Sequence, residues 1–337
     1  MRVLITGAAG FIGQQVLAEL AVQHPKWMLI AADIRPVSLQ GLQLNVEPVR
    51  LDISRPAQVQ DCVGEWKPQA ILHLAAVVNP PPGMSEARLH AIEVGGTRAL
   101  LEAALAHAVE HLIVTSSGAA YGFCPGHAEW IDEEQPLRGH GSFAHARHKC
   151  EIEELLAAAR ARQPRLRQLV LRPSTILGKR VDSRIGELFS RRTVVGLRGH
   201  ASRFGFVWDQ DVVNVIRQGL ERGSAGIFNL AGDGALSLQE IAALLGKPYR
   251  PLPLGLLRTA LRLFKPLGLS RHGAEQLDFL RYRPVLANRR LKEVFGYTPR
   301  YSSWEYAVWV GVVLLVIGLM GEFYTRKHAS ASWNARR

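Results

Sequence analysis

Short apolar runs alternate with longer amphipathic segments through the first half of the chain. Runs of this kind, without a polar face, are typical of strands that are buried on both sides of a sheet. The segments between them have the spacing of helices with one apolar face. This alternation predicts a doubly wound parallel sheet with helices on both faces. The predicted strands cover residues 3–5, 28–32, 46–51, 70–76 and 111–115.

Three glycines, Gly7, Gly10 and Gly13, follow the first strand and open the first helix. Such a turn lets a dinucleotide pyrophosphate approach the backbone at a helix N-terminus. The spacing differs from the usual G-x-G-x-x-G, so the context has to support it. Asp33 ends the second strand, where a carboxylate can accept hydrogen bonds from a ribose and would repel a 2′-phosphate. NAD is therefore preferred, and Arg35 keeps NADP open as the alternative.

The next two strand ends also carry candidate cofactor contacts. Asp52 and Ile53 could meet the adenine amine and ring, although Asp52 could equally be the N-cap of the following helix. Ala75 and Ala76 are small enough for a cofactor to lie across the end of the fourth strand. His73 is expected to be a hydrogen-bonded core residue rather than a catalyst.

Composition indicates a large folded chain with anionic partners. The 337 residues carry a formal charge of +12, with Lys and Arg densest between residues 258 and 300, beside apolar sequence. No nucleic-acid motif occurs, so a membrane surface is favoured. Cys62, Cys124 and Cys150 have no metal-site or disulfide spacing, which indicates a reducing compartment.

An uncharged stretch between Tyr306 and Gly321 predicts a C-terminal membrane helix. Aromatic residues such as Trp304 and Phe323 flank it, as in interfacial belts. Its 16 residues would rise about 24 Å, somewhat less than a hydrocarbon core of about 30 Å. A buried core helix is the alternative.

Residues 254–269 predict a second candidate for membrane contact. Leu254, Leu257 and Leu261 fall on one helical stripe, whereas Arg258 and Arg262 fall on another. Such a helix can lie in a lipid interface. A lobe helix with a solvated basic face is equally expected.

Small hydroxyl residues after the fifth strand, and a lysine on the helix that begins near residue 144, complete a set of motifs. With them the chain resembles the extended short-chain dehydrogenase/reductase family, in its NAD-dependent epimerase/dehydratase and 3β-hydroxysteroid dehydrogenase group. The resemblance covers residues 1 to about 303. The matching motifs are Thr6-Gly-Ala-Ala-Gly-Phe-Ile-Gly13, Asp33, Asp52-Ile53, His73-Leu-Ala-Ala76, Gly96-Thr97, Ser116-Ser117 with Tyr121-Gly122, Lys149, Arg172-Pro173 and Asp211.

The resemblance implies roles for particular positions. Ser117 matches the serine that hydrogen-bonds the reacting oxygen, and Lys149 matches the lysine that holds the nicotinamide ribose. The implied cofactor-binding positions are Gly7, Gly10, Phe11, Ile12, Gly13, Asp33, Asp52, Ile53, Leu74, Ala75, Ala76, Lys149 and Pro173. No metal site is implied.

The family's catalytic tyrosine lies four residues before this lysine, and that position holds His145 in this chain. Three interpretations follow. His145 could move the proton itself, because an imidazole titrates near neutral pH. Tyr121 could replace the missing phenol, or the site could bind the cofactor without turnover.

Three further departures concern the substrate side. Glu93 stands where the family usually has asparagine, and it could change the active-site water network or face solvent. Thr175 and Leu177 replace an asparagine and a tyrosine of the epimerase pattern, which predicts an apolar substrate wall. Asp211 is expected to cap the helix over residues 212–221.

These observations predict a membrane-anchored NAD(P)-dependent oxidoreductase that acts on a secondary alcohol or ketone of an apolar or lipid-linked substrate. The alternatives are a nucleotide-sugar epimerase/dehydratase and an NAD-binding sensor or scaffold without turnover. The expected organisation is a Rossmann domain over residues 1–175, a substrate lobe interleaved with the last core elements over 176–303, a membrane-anchoring helix over 304–325 and a basic tail over 326–337. The domain is expected in the cytoplasm, and the resemblance implies a homodimer formed through the helices of Gly96 and Lys149.

Overall fold

The computed structural model describes residues 1–42, 45–81, 83–139, 141, 143–178, 192–264, 276–305 and 307–308. Its strands are β1 Arg2–Thr6, β2 Met28–Asp33, β3 Val46–Arg50, β4 Ala70–His73, β5 His111–Thr115, β6 Arg167–Pro173, β7 Thr175–Leu177, β8 Val194–Leu197, β9 Arg203–Phe204, β10 Phe206–Trp208, β11 Gly226–Leu230, β12 Leu236–Ser237 and β13 Tyr249–Leu252.

The α-helices lie between these strands. They are α1 Phe11–Gln23, α2 Pro56–Trp66, α3 Glu86–His90, α4 Gly96–Ala106, α5 Ala144–Arg162, α6 Asp209–Arg222, α7 Leu238–Leu244, α8 Leu254–Phe264 and α9 Gln276–Arg281. A π-helical turn, Ala91–Gly95, joins α3 to α4, and a 3-10 turn, Gly118–Tyr121, follows β5. The helical segment from Glu86 to Ala106 therefore contains a wide turn.

Within the described residues, a seven-stranded parallel sheet has the order β11-β6-β5-β4-β1-β2-β3. The predicted Rossmann-type architecture is confirmed. β1 lies between β2 and β4, so the chain leaves β1 in one direction and later returns on its other side. A doubly wound sheet binds ligands in the crevice at such a reversal, outside the carboxyl ends of the strands.

Two apolar layers cover the faces of the sheet. On one face, side chains of α1 such as Leu17 and Leu20 pack with Val212 and Ile216 of α6. On the other face, side chains of α2, α4 and α5 form a second layer, which includes Leu100. Burying an aliphatic side chain of this size contributes roughly 1.5–3 kcal/mol, so these layers hold the strand ends in place.

A smaller lobe is built from short strand pairs and from α7, α8 and α9. β7 pairs with β10, β8 with β13 and β9 with β12, around an apolar cluster that contains Phe204, Phe206 and Leu238. A capping box begins α7, because Ser237 Oγ accepts a hydrogen bond from Glu240 N at 3.2 Å and Glu240 Oε2 accepts one from Ser237 N at 2.7 Å.

The predicted capping role of Asp211 is wrong. α6 begins at Asp209, so Asp211 lies inside the first helical turn. Its carboxylate instead accepts hydrogen bonds from the Tyr297 hydroxyl at 2.6 Å and from Arg300 N at 3.2 Å. Burial raises the pKa of Asp211, against the effect of these hydrogen bonds. The residue therefore ties α6 to the segment that ends the described lobe.

The predicted C-terminal elements lie mostly beyond the described residues. The described part of the chain contains no helix with the length and hydropathy of a membrane span. The stretch predicted to span, 306–321, lies outside them except for residues 307 and 308, as does the basic tail. The predicted helix over 254–269 is present as α8, and residues 265–269 lie outside the description.

Candidate active site

The glycine loop after β1 touches the loop after β4. Gly7 has a φ of +76°, and a Cβ at this position would lie 2.6 Å from Ala75 N and 2.7 Å from Leu74 C. A Cβ on Gly13 would overlap the carbonyl oxygen of Gly7. Glycine is therefore required for the turn and for the approach of α1 to β1. Two predicted cofactor segments meet at the crevice.

The N-terminus of α1 is open toward this loop. Gly10 is the N-cap and provides no side-chain hydrogen bond, and its amide donates to Gly7 O at 2.9 Å. Phe11 is 40% exposed, with its ring beside Gly178 of the lobe, and Ile12 is partly buried against the core. The uncapped amides at the start of α1 suit an anion.

Asp33 is buried at the end of β2, next to the glycine loop. Its Oδ2 accepts a hydrogen bond from Ala9 N at 3.0 Å, and its Oδ1 accepts one from Arg35 N at 2.9 Å. The guanidinium of Arg35 is also near, with Nε 3.4 Å from Oδ1. The acidic residue predicted to meet a ribose thus also fixes the loop predicted to meet the phosphates.

Asp52 and Ile53 lie at the end of β3. A cleft lined by Leu51 and Asp52 runs along this strand end. Asp52 Oδ1 accepts hydrogen bonds from Ser54 N at 3.0 Å and Ser54 Oγ at 2.6 Å. Burial opposes ionisation, but these hydrogen bonds and two nearby arginines lower the pKa of Asp52 overall. The side chain of Ile53 packs on Gly96.

The alternative role of Asp52 as a helix N-cap is wrong. Arg55 occupies the N-cap of α2, and Pro56 is its first residue. A proline in the first helical position needs no hydrogen-bond acceptor for its nitrogen. Asp52 therefore remains a candidate for contact with the cofactor.

His73 is a buried and hydrogen-bonded core residue, as predicted. Its Nδ1 lies 2.8 Å from Thr6 Oγ1, and its Nε2 lies 3.0 Å from Thr97 Oγ1. Burial, together with the charge of Lys149, lowers the pKa of His73 to about 3. The ring is neutral at ordinary pH and joins β1, β4 and α4.

Tyr121 belongs to a buried polar network beneath the site. Its hydroxyl donates to Asn229 Oδ1 at 2.9 Å and accepts a hydrogen bond from Arg172 Nη1 at 2.6 Å. Arg172 also makes a paired contact with Glu153, through Nε at 2.9 and 3.0 Å. Burial raises the pKa of Tyr121 to about 12. Tyr121 has no solvent-accessible surface, so the interpretation of Tyr121 as a substitute catalytic phenol is wrong.

Ser117 and Lys149 converge on the end of β5. Ser117 is half-buried at the N-cap of the 3-10 turn, where its Oγ accepts a hydrogen bond from Ala119 N at 3.1 Å. Lys149 Nζ, on α5, donates to the carbonyl oxygen of Thr115 at 3.3 Å. Burial lowers the pKa of Lys149, and the charges of Glu93 and Glu153 partly oppose this.

His145 lies on the first turn of α5 and is half-buried. Its Nδ1 lies 3.9 Å from Oε1 of Glu93, whose side chain is only 1% exposed. Glu93 comes from the π-helical turn, and its Oε2 accepts a hydrogen bond from His148 Nδ1 at 2.8 Å. The interpretation of Glu93 as a solvent-facing residue is therefore wrong. The carboxylate lies beside the candidate catalytic histidine.

The substrate side is more polar than the sequence predicts. Thr175 Oγ1 accepts a hydrogen bond from the guanidinium of Arg283, which stacks on the rings of Phe204 and Phe279 at 4.5 Å. Burial lowers the pKa of Arg283 to about 9, so it is a cation at neutral pH. The predicted apolar wall at Thr175 and Leu177 thus carries a positive charge.

Aromatic rings from both lobes adjoin this cation. Phe123 contacts Phe143 at 5.1 Å and Phe279 at 5.0 Å between ring centroids. Phe143 directly precedes α5, which carries His145. The wall between the lobes therefore combines an apolar surface with one guanidinium.

The ends of β5 and β6 hold polar atoms that suit a bound cofactor. Thr115 Oγ1 and Ser174 Oγ are buried and have no hydrogen-bond partner in the part of the chain that the model describes. Pro173 is buried at the end of β6, next to Ser174. Such orphaned hydroxyls at strand ends, together with the glycine turn and Asp33, fit a dinucleotide.

Sequence reasoning missed His148, Glu153 and Arg283 as parts of the site. A signal existed for Glu153, because Arg172 lies in a buried strand and a buried guanidinium requires a carboxylate. His148 lies one turn after His145 on α5, which shows that the two share a helix face. Nothing in the sequence connects Arg283 with Thr175, because the contact joins segments 108 positions apart.

The chain is similar in sequence to a known protein family and to individual known proteins. The model of the NAD dependent epimerase/dehydratase family matches residues 3–231. An uncharacterised protein of Mycobacterium tuberculosis (strain ATCC 25618 / H37Rv) is 26% identical over 309 residues, which cover 90% of this chain and 81% of that protein. The GDP-6-deoxy-D-mannose reductase of Pseudomonas aeruginosa is 28% identical over 262 residues, which cover 72% of this chain and 79% of the reductase.

Solved structures show the same fold. The crystal structure of UDP-glucose 4-epimerase with UDP-glucose from Thermotoga maritima has a TM-score of 0.71 at 22% identity. The match covers 95% of this chain and 100% of that one.

Proposed function

This chain belongs to the NAD dependent epimerase/dehydratase family, and on that basis we propose that it is an NAD-dependent enzyme that moves a hydride to or from a secondary alcohol or ketone. His145 carries this proposal. It lies four residues before Lys149, and its side chain is half-buried. The buried carboxylate of Glu93 lies beside it. An imidazole in this position can exchange a proton near neutral pH.

The cofactor would lie across the crevice between β1 and β4. The glycine turn and the start of α1 would hold its phosphates, Asp33 its adenosine ribose, and Lys149 its nicotinamide ribose. Asp33 favours NAD, because a carboxylate would repel a 2′-phosphate. When bound, NAD supplies the two-electron acceptor and donor.

The protein side chains handle the proton and the reacting oxygen. Ser117 Oγ accepts from Ala119 N, so its own proton is available to hydrogen-bond the substrate oxygen. In the oxidative direction, His145 takes the hydroxyl proton while the substrate carbon loses a hydride. In the reductive direction, His145 returns the proton to the oxygen.

A sugar linked to a nucleoside diphosphate is the substrate class that Arg283 favours. The guanidinium is buried and pairs with the neutral Thr175, and its Nη1 has no hydrogen-bond partner among the described residues. A buried cation is stabilised by an anion, and a diphosphate offers two negative groups. An apolar alcohol is the second candidate, favoured by the ring cluster of Phe123, Phe143 and Phe279.

We also propose that the full chain binds a membrane. Supporting this are the uncharged stretch 306–321 and the surface of α8, where Leu256 and Leu263 are 59% and 58% exposed beside exposed arginines. The anchored domain would then lie in the cytoplasm. Full-length protein should float with anionic vesicles, and a chain ending at residue 303, which keeps α8, should float less. Equal flotation of both would assign membrane binding to α8, and no flotation of either would contradict the proposal.

A sensor without turnover is the candidate from another class, favoured by the histidine at the tyrosine position. Protein loaded with NAD⁺ should be incubated with nucleotide sugars, sterols and lipid alcohols, followed by cofactor fluorescence for net oxidation and by chromatography for redox-neutral conversion. Conversion of one class, lost in His145→Ala with NAD binding retained, supports the enzyme. Tight NAD binding without conversion of any class would support the sensor.

A further inference from the structure

Glu93 is a buried carboxylate in an unusual backbone setting. It lies in the π-helical turn Ala91–Gly95, and such turns often occur at functional sites because they re-aim one side chain. Its Oε1 accepts a hydrogen bond from Val77 N at 3.3 Å, and its Oε2 accepts one from His148 Nδ1 at 2.8 Å. These contacts hold the carboxylate in place.

This fixed carboxylate faces a defined atom of His145. Oε1 lies 3.9 Å from His145 Nδ1, within ion-pair distance. A carboxylate at this distance favours the protonated, cationic form of the ring. The geometry therefore places a fixed negative charge beside the ring where an imidazolium would form.

A histidine base also needs a different charge environment from a tyrosine base. A tyrosine is an anion after it loses its proton, so a neighbouring lysine stabilises the form that acts as base. A histidine is neutral before it takes the proton and a cation afterwards, so the same lysine opposes its protonation. Lys149 is close enough to Glu93 for the carboxylate to act on its charge. Glu93 therefore offsets Lys149 where the imidazolium forms.

The other charged groups near α5 do not supply this compensation. Among those that the structure describes, His73 of β4 is hydrogen-bonded to Thr6 and Thr97, and burial together with the charge of Lys149 lowers its pKa to about 3. Arg172 of β6 is paired with Glu153 of α5. The other neighbours include Tyr121, which contacts Arg172, and the pairs of His90 with Glu151 and of Arg147 with Glu86. Among the described residues, Glu93 is a carboxylate within ion-pair distance of His145.

We propose that Glu93, anchored by His148, is a positioning residue that compensates the histidine at the tyrosine position. It stabilises the imidazolium that His145 forms when it takes the proton. The role rests on the proposed function, in which His145 moves the proton. Glu93 and His145, which both differ from the family pattern, would then depend on each other.

The first test does not depend on turnover. Nitrogen-15 NMR of the imidazoles, in the full-length protein with NAD⁺ bound, follows the protonation of His145 across a pH series after assignment by His145→Ala. The protonation midpoint should fall by about one pH unit in Glu93→Gln, because the neighbouring negative charge is removed. A midpoint unchanged by Glu93→Gln would overturn the proposal.

The second test uses two backgrounds and a substrate found by the panel. With His145 present, Glu93→Gln should slow hydride transfer about 10- to 100-fold and move the acid limb of the pH profile to lower pH. In His145→Tyr, Glu93→Asn should instead raise turnover, because a carboxylate disfavours a phenolate. The control is Glu151→Gln, which removes a glutamate of α5 that pairs with His90. It should leave the pH profile unchanged.

An equal fractional loss in both backgrounds would reduce Glu93 to a structural residue and overturn the proposal. If no substrate turns over, the protonation midpoint of His145 and its dependence on Glu93 still test the proposal. The proposed function would then fail while the positioning geometry stands.

Discussion

Asp33 accepts a hydrogen bond from the backbone N–H of Ala9, with Oδ2 and N 3.0 Å apart. The side chain that would meet the adenosine ribose is thereby coupled to the loop that would meet the pyrophosphate. A substitution at the ribose end of the crevice should therefore also change the loop at the pyrophosphate end.

Replacing Asp33 by Ala should weaken NAD binding about 10- to 100-fold, because hydrogen bonds to a charged group are worth roughly 1.5–3 kcal/mol. The affinity for NADP should fall less, since the repulsion of a 2′-phosphate is also removed. Calorimetric titration with both cofactors measures the ratio. Arg35→Ala is the matched control, and it should leave NAD binding nearly unchanged. Equal losses for NAD and NADP in Asp33→Ala would contradict a ribose contact.

Gly13→Ala should both destabilise the fold and reduce NAD affinity. The new methyl group would overlap Gly7 O, so α1 must move away from β1, and overpacking of this kind costs about 1–3 kcal/mol. Gly255→Ala is the control, because nothing lies within 4 Å of a Cβ there and the position is helical. Urea unfolding should show a loss for the first variant and no loss for the second. A wild-type midpoint in Gly13→Ala would contradict the close approach.

His73 should make the protein less stable as pH falls. Its pKa is about 3 in the folded state, and that of a histidine in an unfolded chain is about 6.5, so the unfolded state binds more protons between these values. Stability is fully present above pH 6.5 and decreases on acidification, by roughly 2 kcal/mol at pH 5.

His73→Gln removes this titration and should flatten the dependence of the unfolding free energy on pH between 7 and 5. The measurement is chemical denaturation at a series of pH values. His107→Gln, at an exposed position, controls for the loss of a histidine as such. Parallel curves for the wild type and His73→Gln would contradict the assignment.

Arg283→Met should separate the two substrate classes. For a nucleotide-linked sugar, the loss of the buried cation should raise KM about tenfold or more and change kcat less, because the contact is remote from the reacting carbon. For an apolar alcohol, KM should stay or fall, while Phe279→Ala should raise it. Arg289→Met is the control, since its side chain is 80% exposed. No change in KM with either substrate class would exclude Arg283 from the substrate site.

Much of the nucleotide-binding half was predictable because its signals are local. The strands, the glycine turn and Asp33 depend on residues close in sequence, and burial on both faces leaves a continuous apolar pattern. His73 was predictable for the same reason, since a histidine inside such a strand must find hydrogen-bond partners in the core.

The roles of Asp52, Asp211 and Glu93 were less predictable from sequence. Each is an acidic residue beside a helix, and the same local pattern suits an N-cap, an ion pair or a solvated surface. Asp211 contacts Tyr297 and Arg300, which lie almost ninety positions away in the sequence. No local sequence pattern therefore predicts its role.

The sequence by itself determined the sheet and the glycine turn, and it predicted His145 at the position of the family's tyrosine, because these follow from periodicity and from residue types at short spacing. Only the tertiary structure decided which groups surround His145 and Thr175. Glu93 reaches His145 from a π-helical turn, and Arg283 reaches Thr175 from the lobe after α9. Contacts between distant segments depend on how helices pack on the sheet, and packing is a property of the whole fold.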